Sequence, residues 1–231
     1  MFNRRRNSNQ RGIFNSSQGR FSQYRRESTS QFYTILLCIT LSLFFILQFT
    51  GVVDANQYLL NTQEVVNFNL LTTFTSLFFH VGALHFISNI IALYIFSRKV
   101  EQEVGVGTLF LFIIGGIIAN GIVSIHAGII GEHYLSVGAS AGIAPLIFFV
   151  IIAKPISLLT PLAWFIILFD ILNLSNQNTT TNHAVHVTGY LAAFILMSIL
   201  NFKNKRYIYY SIGFNLVGLI LLYIGLTMYY F

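Results

Sequence analysis

The feature that most constrains this chain is a series of long apolar segments that fills nearly all of the sequence after residue 31. The first, residues 32–53, is long enough to cross a bilayer as a helix, which takes roughly 20 residues. Six more candidates follow, at residues 84–96, 108–125, 139–153, 156–172, 183–200 and 207–230. Several are shorter than a full span, and we expect flanking residues to extend them. The segments predict an all-α polytopic membrane protein with seven transmembrane helices.

Composition excludes a water-soluble globular protein. Charged residues make up 9% of the chain, whereas ordinary soluble domains carry about 25%. The apolar segments leave no room for a separate soluble domain. Because Cys38 is the single cysteine, no intramolecular disulfide can form. Helix packing must therefore hold the fold together.

The basic residues indicate how the chain is oriented in the membrane. If the N-terminus is cytoplasmic, all thirteen Lys and Arg residues lie on the cytoplasmic side. Seven precede the first span, and the others are Arg98, Lys99, Lys154, Lys203, Lys205 and Arg206. Cytoplasmic loops of membrane proteins collect Lys and Arg. This pattern predicts a multi-pass protein of the plasma membrane, with its N-terminus inside and its C-terminus outside. It also explains the positive charge without nucleic-acid binding.

We divide the chain into three regions. Residues 1–31, rich in Arg, Ser, Asn and Gln, are expected to be a disordered basic cytoplasmic tail attracted to anionic lipid headgroups. A mitochondrial transit peptide is the minority alternative for this region. Residues 32–206 are expected to form a six-helix core, and residues 207–231 an additional C-terminal transmembrane helix.

Polar residues inside membrane spans are costly unless they are paired or functional. Three sets occur here: His80, His85 and Asn89 at the second span, Ser140 between Gly138 and Gly142 at the fourth, and His183 and His186 before Gly189 and Ala193 at the sixth. In the predicted topology all three spans run from the outer to the inner face. At 1.5 Å rise per residue, the sets lie at a similar depth, about 5 to 10 Å below the outer boundary.

A serine, imidazoles and an amide at one depth can form an acyl-transfer site. A hydroxyl is a poor nucleophile unless a base takes its proton. The fourth and sixth spans each carry small residues four apart, namely Gly138 and Gly142, and Gly189 and Ala193. Such pairs allow close helix approach, which would bring Ser140 within hydrogen-bonding distance of His186.

Serine and histidine residues also have simpler, non-catalytic roles in membrane helices. A lone serine in a membrane helix usually packs or bonds its own backbone, and a lone histidine can be a satisfied polar contact. We expect His126 and His133 to be solvated in an outer loop, His80 to organise the loop before the second span by hydrogen bonding, and Glu101 to order the turn after it. The histidines are not spaced with carboxylates or thiols as metal ligands are, so no metal or cofactor is expected.

Taken together, these elements resemble the rhomboid intramembrane serine proteases. The matching elements between residues 71 and 200 are His80, His85-Phe-Ile-Ser-Asn89, Val100-Glu101, Gly105, Gly138-Ala-Ser140, and His186-Val-Thr-Gly189 with Ala193. The resemblance implies a six-helix bundle with one added C-terminal helix. It also implies that Ser140 is the nucleophile, that His186 is the base, and that the oxyanion hole comprises His85, Asn89 and the backbone N–H of Ser140. His80, Gly138 and Gly189 are supporting positions.

The activity implied is an endopeptidase that cuts transmembrane segments of single-span or polytopic membrane proteins near the outer face. Two alternatives stay open: a catalytically inactive rhomboid-like protein that binds membrane clients, and a transporter or proton-conducting protein. The chain departs from the family pattern at Ala141, where glycine is usual, and at Ala144, where an aromatic is common and Pro145 follows. A Trp-Arg pair is frequent in the first outer loop of the family. In this chain the corresponding residues are Leu71-Thr72, so the pair is missing.

Overall fold

A computed structural model describes residues 31–153, 157–174 and 182–200, and these ranges are predominantly α-helical. The helices are α1 (Phe32–Phe49), α2 (Thr62–Val66), α3 (Leu71–Thr75), α4 (Ala83–Val104), α5 (Gly107–Ile130), α6 (Ser140–Ala153), α7 (Thr160–Leu172) and α8 (His183–Leu200). Short 3-10 helices cover Ala55–Tyr58 and Ser76–Phe78. Each of the first six predicted spans contains one long helix, which confirms the all-α membrane class. The basic tail and the predicted seventh span lie outside the described residues.

Among the helices of the described ranges, α1 and α5 are long and apolar enough to cross a membrane. A third candidate is the pair Leu71–Phe78 and Ala83–Val104, which is bent by 93° at the break between them. Both α4 and α5 exceed their predicted spans, so flanking residues do extend them. The expected extension is wrong at the start of α7, which begins four residues after the predicted span. Pro161 in its first turn suits a helix start.

The central helix is α6, and its side chains from residue 141 to residue 151 are all buried. Helices α4, α5, α7 and α8 pack against it. With 14 residues it is only about 21 Å long, shorter than the roughly 30 Å hydrocarbon core. Because its side chains are buried by these four helices, its neighbours rather than lipid surround it.

Small residues set the distance between α6 and its neighbours. A Cβ added at Gly189 of α8 would lie 2.8 Å from the Ala144 Cβ and 3.2 Å from the Ala141 carbonyl oxygen. This confirms that α8 approaches α6 closely at Gly189. Gly142, however, faces α5, because a Cβ there would lie 2.7 Å from the Phe112 carbonyl oxygen. The prediction that Gly142 contributes to the contact with α8 is wrong; Ala141 and Ala144 take that position.

The connection between α1 and α4 contains more structure than its polar sequence indicates. Asn61 accepts hydrogen bonds from the N–H groups of Gln63 and Glu64 and so caps α2. The two-residue strand β1 (Leu60–Asn61) pairs antiparallel with β2 (Leu135–Ser136). This pairing was not predicted. It ties the connection to the segment that leads into α6.

Glu101, near the end of α4, caps the start of α1. Its carboxylate accepts hydrogen bonds from the N–H of Tyr33 at 3.1 Å, the N–H of Thr34 at 2.8 Å and the Thr34 hydroxyl at 2.6 Å. The first N–H groups of a helix have no partner within the helix, and an acid there also complements the helix dipole. The prediction that Glu101 orders the turn after α4 is therefore wrong.

Candidate active site

Ser140 opens α6 directly after a strained turn at Gly138. Gly138 has φ +137°, a conformation that residues with a Cβ rarely adopt. A Cβ at this position would lie 2.9 Å from Nε2 of His85 and 3.7 Å from the hydroxyl oxygen of Ser140. Glycine is therefore required here both because of the backbone conformation and because a side chain would clash with the His85 ring. The His85 ring and the Ser140 hydroxyl both lie close to the point that this Cβ would occupy.

Buried polar groups hold this turn in place. The amide nitrogen of Asn120, on α5, donates to the Thr73 carbonyl at 2.9 Å and to the Ser76 hydroxyl at 3.1 Å. The Ser76 carbonyl in turn accepts the Gly138 N–H at 3.0 Å. Asn120 thus links α5 to the approach to Ser140. The sequence analysis missed this residue, although a polar side chain inside an apolar span is an available signal.

Helix α4 supplies His85 and Asn89, one turn apart. The His85 ring is half-buried, and the Asn89 side chain is buried. The Asn89 amide nitrogen donates one hydrogen to the His85 carbonyl at 2.9 Å. An amide nitrogen has two hydrogens, so this bond orients the side chain and leaves a second donor.

His80 organises the segment before α4 through its backbone. Its N–H donates to the Gln48 side-chain oxygen at 3.1 Å, and its carbonyl accepts from the Gln48 side-chain nitrogen. Its buried ring contacts the rings of Phe45, His85 and Phe86. Neither ring nitrogen of His80 has a hydrogen-bond partner within the described ranges. The backbone of His80 therefore orders this segment, whereas its ring, which was expected to organise the loop by hydrogen bonding, packs edge-on against His85.

His183 and His186, in the first turns of α8, share a carboxylate from α7. Nδ1 of His183 lies 2.7 Å from Oδ1 of Asp170, and Nδ1 of His186 lies 2.9 Å from the same oxygen. The Tyr190 hydroxyl donates to the other oxygen, Oδ2. Asp170 itself is buried. The expectation that no carboxylate accompanies the histidines is wrong. A lone acid in the apolar segment 156–172 was the missed signal, since intramembrane acids are rare unless paired.

Asp170, His183 and His186 each offer one atom that could bind a metal ion, and these three atoms lie within 4.8 Å of one another. Their spacing alone would allow a metal site. Zinc ligands, however, surround a common point about 2.0 to 2.2 Å from each donor. Here each histidine nitrogen lies at hydrogen-bonding distance from a single carboxylate oxygen. The arrangement is that of a hydrogen-bonded cluster.

Packing brings the start of α8 next to Ser140. Gly189, one turn beyond His186, contacts the carbonyl of Ala141, the residue after Ser140. The rings of His85 and His186 are close enough to interact electrostatically. No hydrogen bond joins Ser140 to His186 in the described part of the chain, and such bonds are often long before substrate binds. The His186 side chain is 17% exposed, so a substrate can reach it.

The close contact at Gly189 also explains why Ala144 is small. An aromatic side chain at this position would meet the α8 backbone, which lies in contact with the Ala144 methyl. His186 instead has an edge-on ring contact with His183, at 6.1 Å between centroids. The departure from the usual aromatic is thus accommodated by the α6–α8 packing.

Asn182 fixes the start of α8. Its side-chain oxygen accepts the Val185 N–H at 3.2 Å, and its side chain also hydrogen-bonds Tyr134. Burial raises the pKa of Tyr134 above its ordinary value, so the phenol stays protonated. This contact joins the start of α8 to the segment before Ser140. His133, beside Tyr134, is exposed as expected, but His126 is half-buried within α5 and not in a loop.

Comparison with known protein families gives a match to the Rhomboid domain over residues 67–203. The matched region covers more than half of the chain and includes α3 to α8 with all the site residues described above. No curated protein matched the chain.

Proposed function

The chain belongs to the rhomboid family of intramembrane proteases, and on this premise we propose that it is a serine endopeptidase that cleaves transmembrane segments of membrane proteins. The observation that carries the proposal is the juxtaposition at Gly138, where the His85 ring and the Ser140 hydroxyl lie within 2.9 and 3.7 Å of the point that a Cβ on this glycine would occupy. The packing of Gly189 beside Ala141 adds the base-bearing helix to the same place.

In the proposed reaction, Ser140 is the nucleophile and His186 the general base. Oγ of Ser140 attacks the carbonyl carbon of the scissile peptide bond while its proton passes to His186. The oxyanion of the tetrahedral intermediate accepts hydrogen bonds from His85, Asn89 and the Ser140 backbone N–H. The carbon–nitrogen bond then breaks, and the leaving amine takes the proton from His186. A water molecule, deprotonated by His186, then attacks the acyl carbon. The bond between this carbon and Oγ breaks, and Oγ of Ser140 takes the proton back from His186.

The proposed location is a plasma membrane, with the N-terminus cytoplasmic, seven spans and the site near the outer face. The distribution of the thirteen basic residues supports this orientation. A site within the bilayer also limits which peptide bonds can be cleaved. The backbone groups of a transmembrane helix are hydrogen-bonded within the helix, so its peptide bonds are not accessible. We therefore expect cleavage at helix-destabilising positions close to the outer boundary.

The test uses the purified full chain in lipid vesicles, a panel of single-span membrane proteins and a serine-reactive fluorophosphonate. We expect cleavage and covalent labelling by the wild type, loss of both in Ser140→Ala, and retention of both in Ser42→Ala, a matched serine on α1. Labelling that survives Ser140→Ala would overturn the assignment of the nucleophile. A folded wild type that neither cleaves nor labels would favour the inactive client-binding alternative.

A further inference from the structure

We propose that Asp170 is a positioning residue for His186, so that Ser140, His186 and Asp170 act as a triad. The inference rests on the proposed function, because it concerns the base of the same site. Asp170 contacts His186 from α7, a helix that contributes none of the site residues expected from the sequence. Three features of the cluster carry the argument.

The first feature is the proton arrangement that the hydrogen bonds require. An ionised carboxylate only accepts hydrogen bonds, so Nδ1 of His186, 2.9 Å from Oδ1 of Asp170, must carry a proton. In a neutral imidazole the other nitrogen, Nε2, then has a free lone pair. That is the tautomer a base needs in order to take a proton from Ser140. The opposite tautomer would present an N–H donor to Ser140 and could not act as its base.

The second feature is that the carboxylate is itself held. The Tyr190 hydroxyl donates to Oδ2 of Asp170, and Tyr190 lies one turn beyond His186 on α8. The Asp170 side chain is 3% exposed, so bulk water does not compete for its oxygens. A buried acceptor with a fixed orientation constrains the plane of the imidazole bonded to it. The His186 ring is therefore oriented by α7 and by its own helix together.

The third feature is the second imidazole. Nδ1 of His183 lies 2.7 Å from the same oxygen of Asp170, and one carboxylate oxygen has two lone pairs to accept both bonds. His183 is 4% exposed, and its Nε2 has no partner within the described ranges. His183 thus supports the carboxylate from the buried side, whereas the more exposed His186 faces the site.

The kinetic test compares Asp170→Asn with the wild type and with Asp54→Asn, a matched change in the outer connection. The asparagine keeps the size of the side chain but adds an N–H₂ group that can bond the wrong tautomer. We expect kcat of Asp170→Asn to fall by about 10²- to 10⁴-fold, the range for a positioned proton-transfer group, with KM little changed. We expect Asp170→Glu to recover part of this loss and Asp54→Asn to match the wild type. A kcat for Asp170→Asn within about threefold of the wild type would overturn the inference.

A second measurement does not depend on turnover. Nitrogen-15 NMR of the chain labelled at histidine, with His186→Gln to assign the signal, should show the Nδ1–H tautomer for His186 and its loss in Asp170→Asn. An Nε2–H tautomer in the wild type would overturn the inference even if Asp170→Asn were inactive through misfolding. If the wild type lacks Ser140-dependent labelling, the proposed function fails and the inference with it. If labelling is present and Asp170→Asn labels at the wild-type rate, the inference alone fails.

Discussion

At the scale of single residues, the Asn89 amide illustrates how one side chain is prepared for a catalytic role. Its bond to the His85 carbonyl holds it against α4 at 2.9 Å. The second amide hydrogen is then oriented before any substrate arrives. Preorganised donors of this kind stabilise charge that develops only in the transition state.

We predict that Asn89→Ala lowers kcat by about 10²- to 10³-fold, the usual effect of removing one oxyanion donor. Stability should change little, because the lost partner is a helix carbonyl that already accepts a backbone hydrogen bond. The measurement is kcat at equal folded concentration, judged by thermal unfolding in detergent. Asn56→Ala, an exposed change in the outer connection, is the control. An unchanged kcat would remove Asn89 from the oxyanion hole.

The two histidines of α8 should respond differently to truncation. We predict that His186→Ala abolishes proteolysis and fluorophosphonate labelling, whereas His183→Ala keeps substantial activity. Without His183, Oδ1 of Asp170 still accepts the bond from His186, so the base keeps its orientation. Both variants are assayed after their folded fractions have been matched. Activity in His186→Ala together with loss in His183→Ala would reverse the assignment of the base.

Sequence patterns could indicate Ser140, His85 and His186 because each stands at a polar position in an apolar span. The same criterion marks Asp170, but it could not indicate that Asp170 is the partner of His186. Asp170 lies on a different helix, and whether it meets His186 depends on how α7 is rotated about its axis. That rotation is set by packing, because a segment that is apolar on most sides has no marked face.

At the scale of helices, the tightest contact between α6 and α8 at Gly189 is with the Ala144 methyl, followed by the Ala141 carbonyl oxygen and the Pro145 ring. The Ala144 methyl fills the space opposite Gly189, where an added Cβ would lie 2.8 Å away. Two carbon atoms at that distance overlap, so the helices would have to separate. Since Ser140 and His186 lie on these two helices, their distance depends on this contact.

We therefore predict that Gly189→Ala lowers stability by about 1 to 3 kcal/mol, the usual cost of overpacking, and reduces kcat. Gly121→Ala on α5 is the matched control, because no atom lies within 4 Å of a Cβ added there. It should be neutral or stabilising, since alanine favours helix more than glycine does.

The double variant Gly189→Ala with Ala144→Gly moves the methyl from one helix to the other. It should recover most of the lost stability and activity, as measured by thermal unfolding and by cleavage rate. Failure of this exchange to recover either property would show that the contact does not control the active site.

Helix ends were predicted well where sequence and packing agree, and less well elsewhere. Helix α6 begins at Ser140, one residue after the predicted start, because the backbone of Gly138 just before it is not helical. The extension of α4 to Val104 includes charged residues that a hydropathy criterion excludes. In this extension Glu101 caps the start of α1, a contact that no local pattern could reveal.

At the scale of the whole molecule, the prediction concerns orientation. In a Cys38→Ala background, His133→Cys should react with an impermeant thiol reagent added to intact cells, because position 133 is exposed and lies on the outer side in the proposed orientation. Gln102→Cys, exposed near the end of α4, should react only after the cells are opened. Reaction of Gln102→Cys from outside would overturn the topology, and with it the outer-face site.

The buried carboxylate of Asp170 also bears on the energetics of catalysis in a membrane. Proton transfer from Ser140 to an isolated His186 would create opposite charges in a medium of low dielectric constant, where unpaired charges are costly. With ionised Asp170 already in contact, the new imidazolium forms directly as half of an ion pair. Asp170 keeps its charge, the Asp170–His186 pair becomes neutral overall, and the oxyanion carries the net negative charge, so no isolated cation appears. An acid that is costly to bury at rest therefore lowers the electrostatic cost of the reaction.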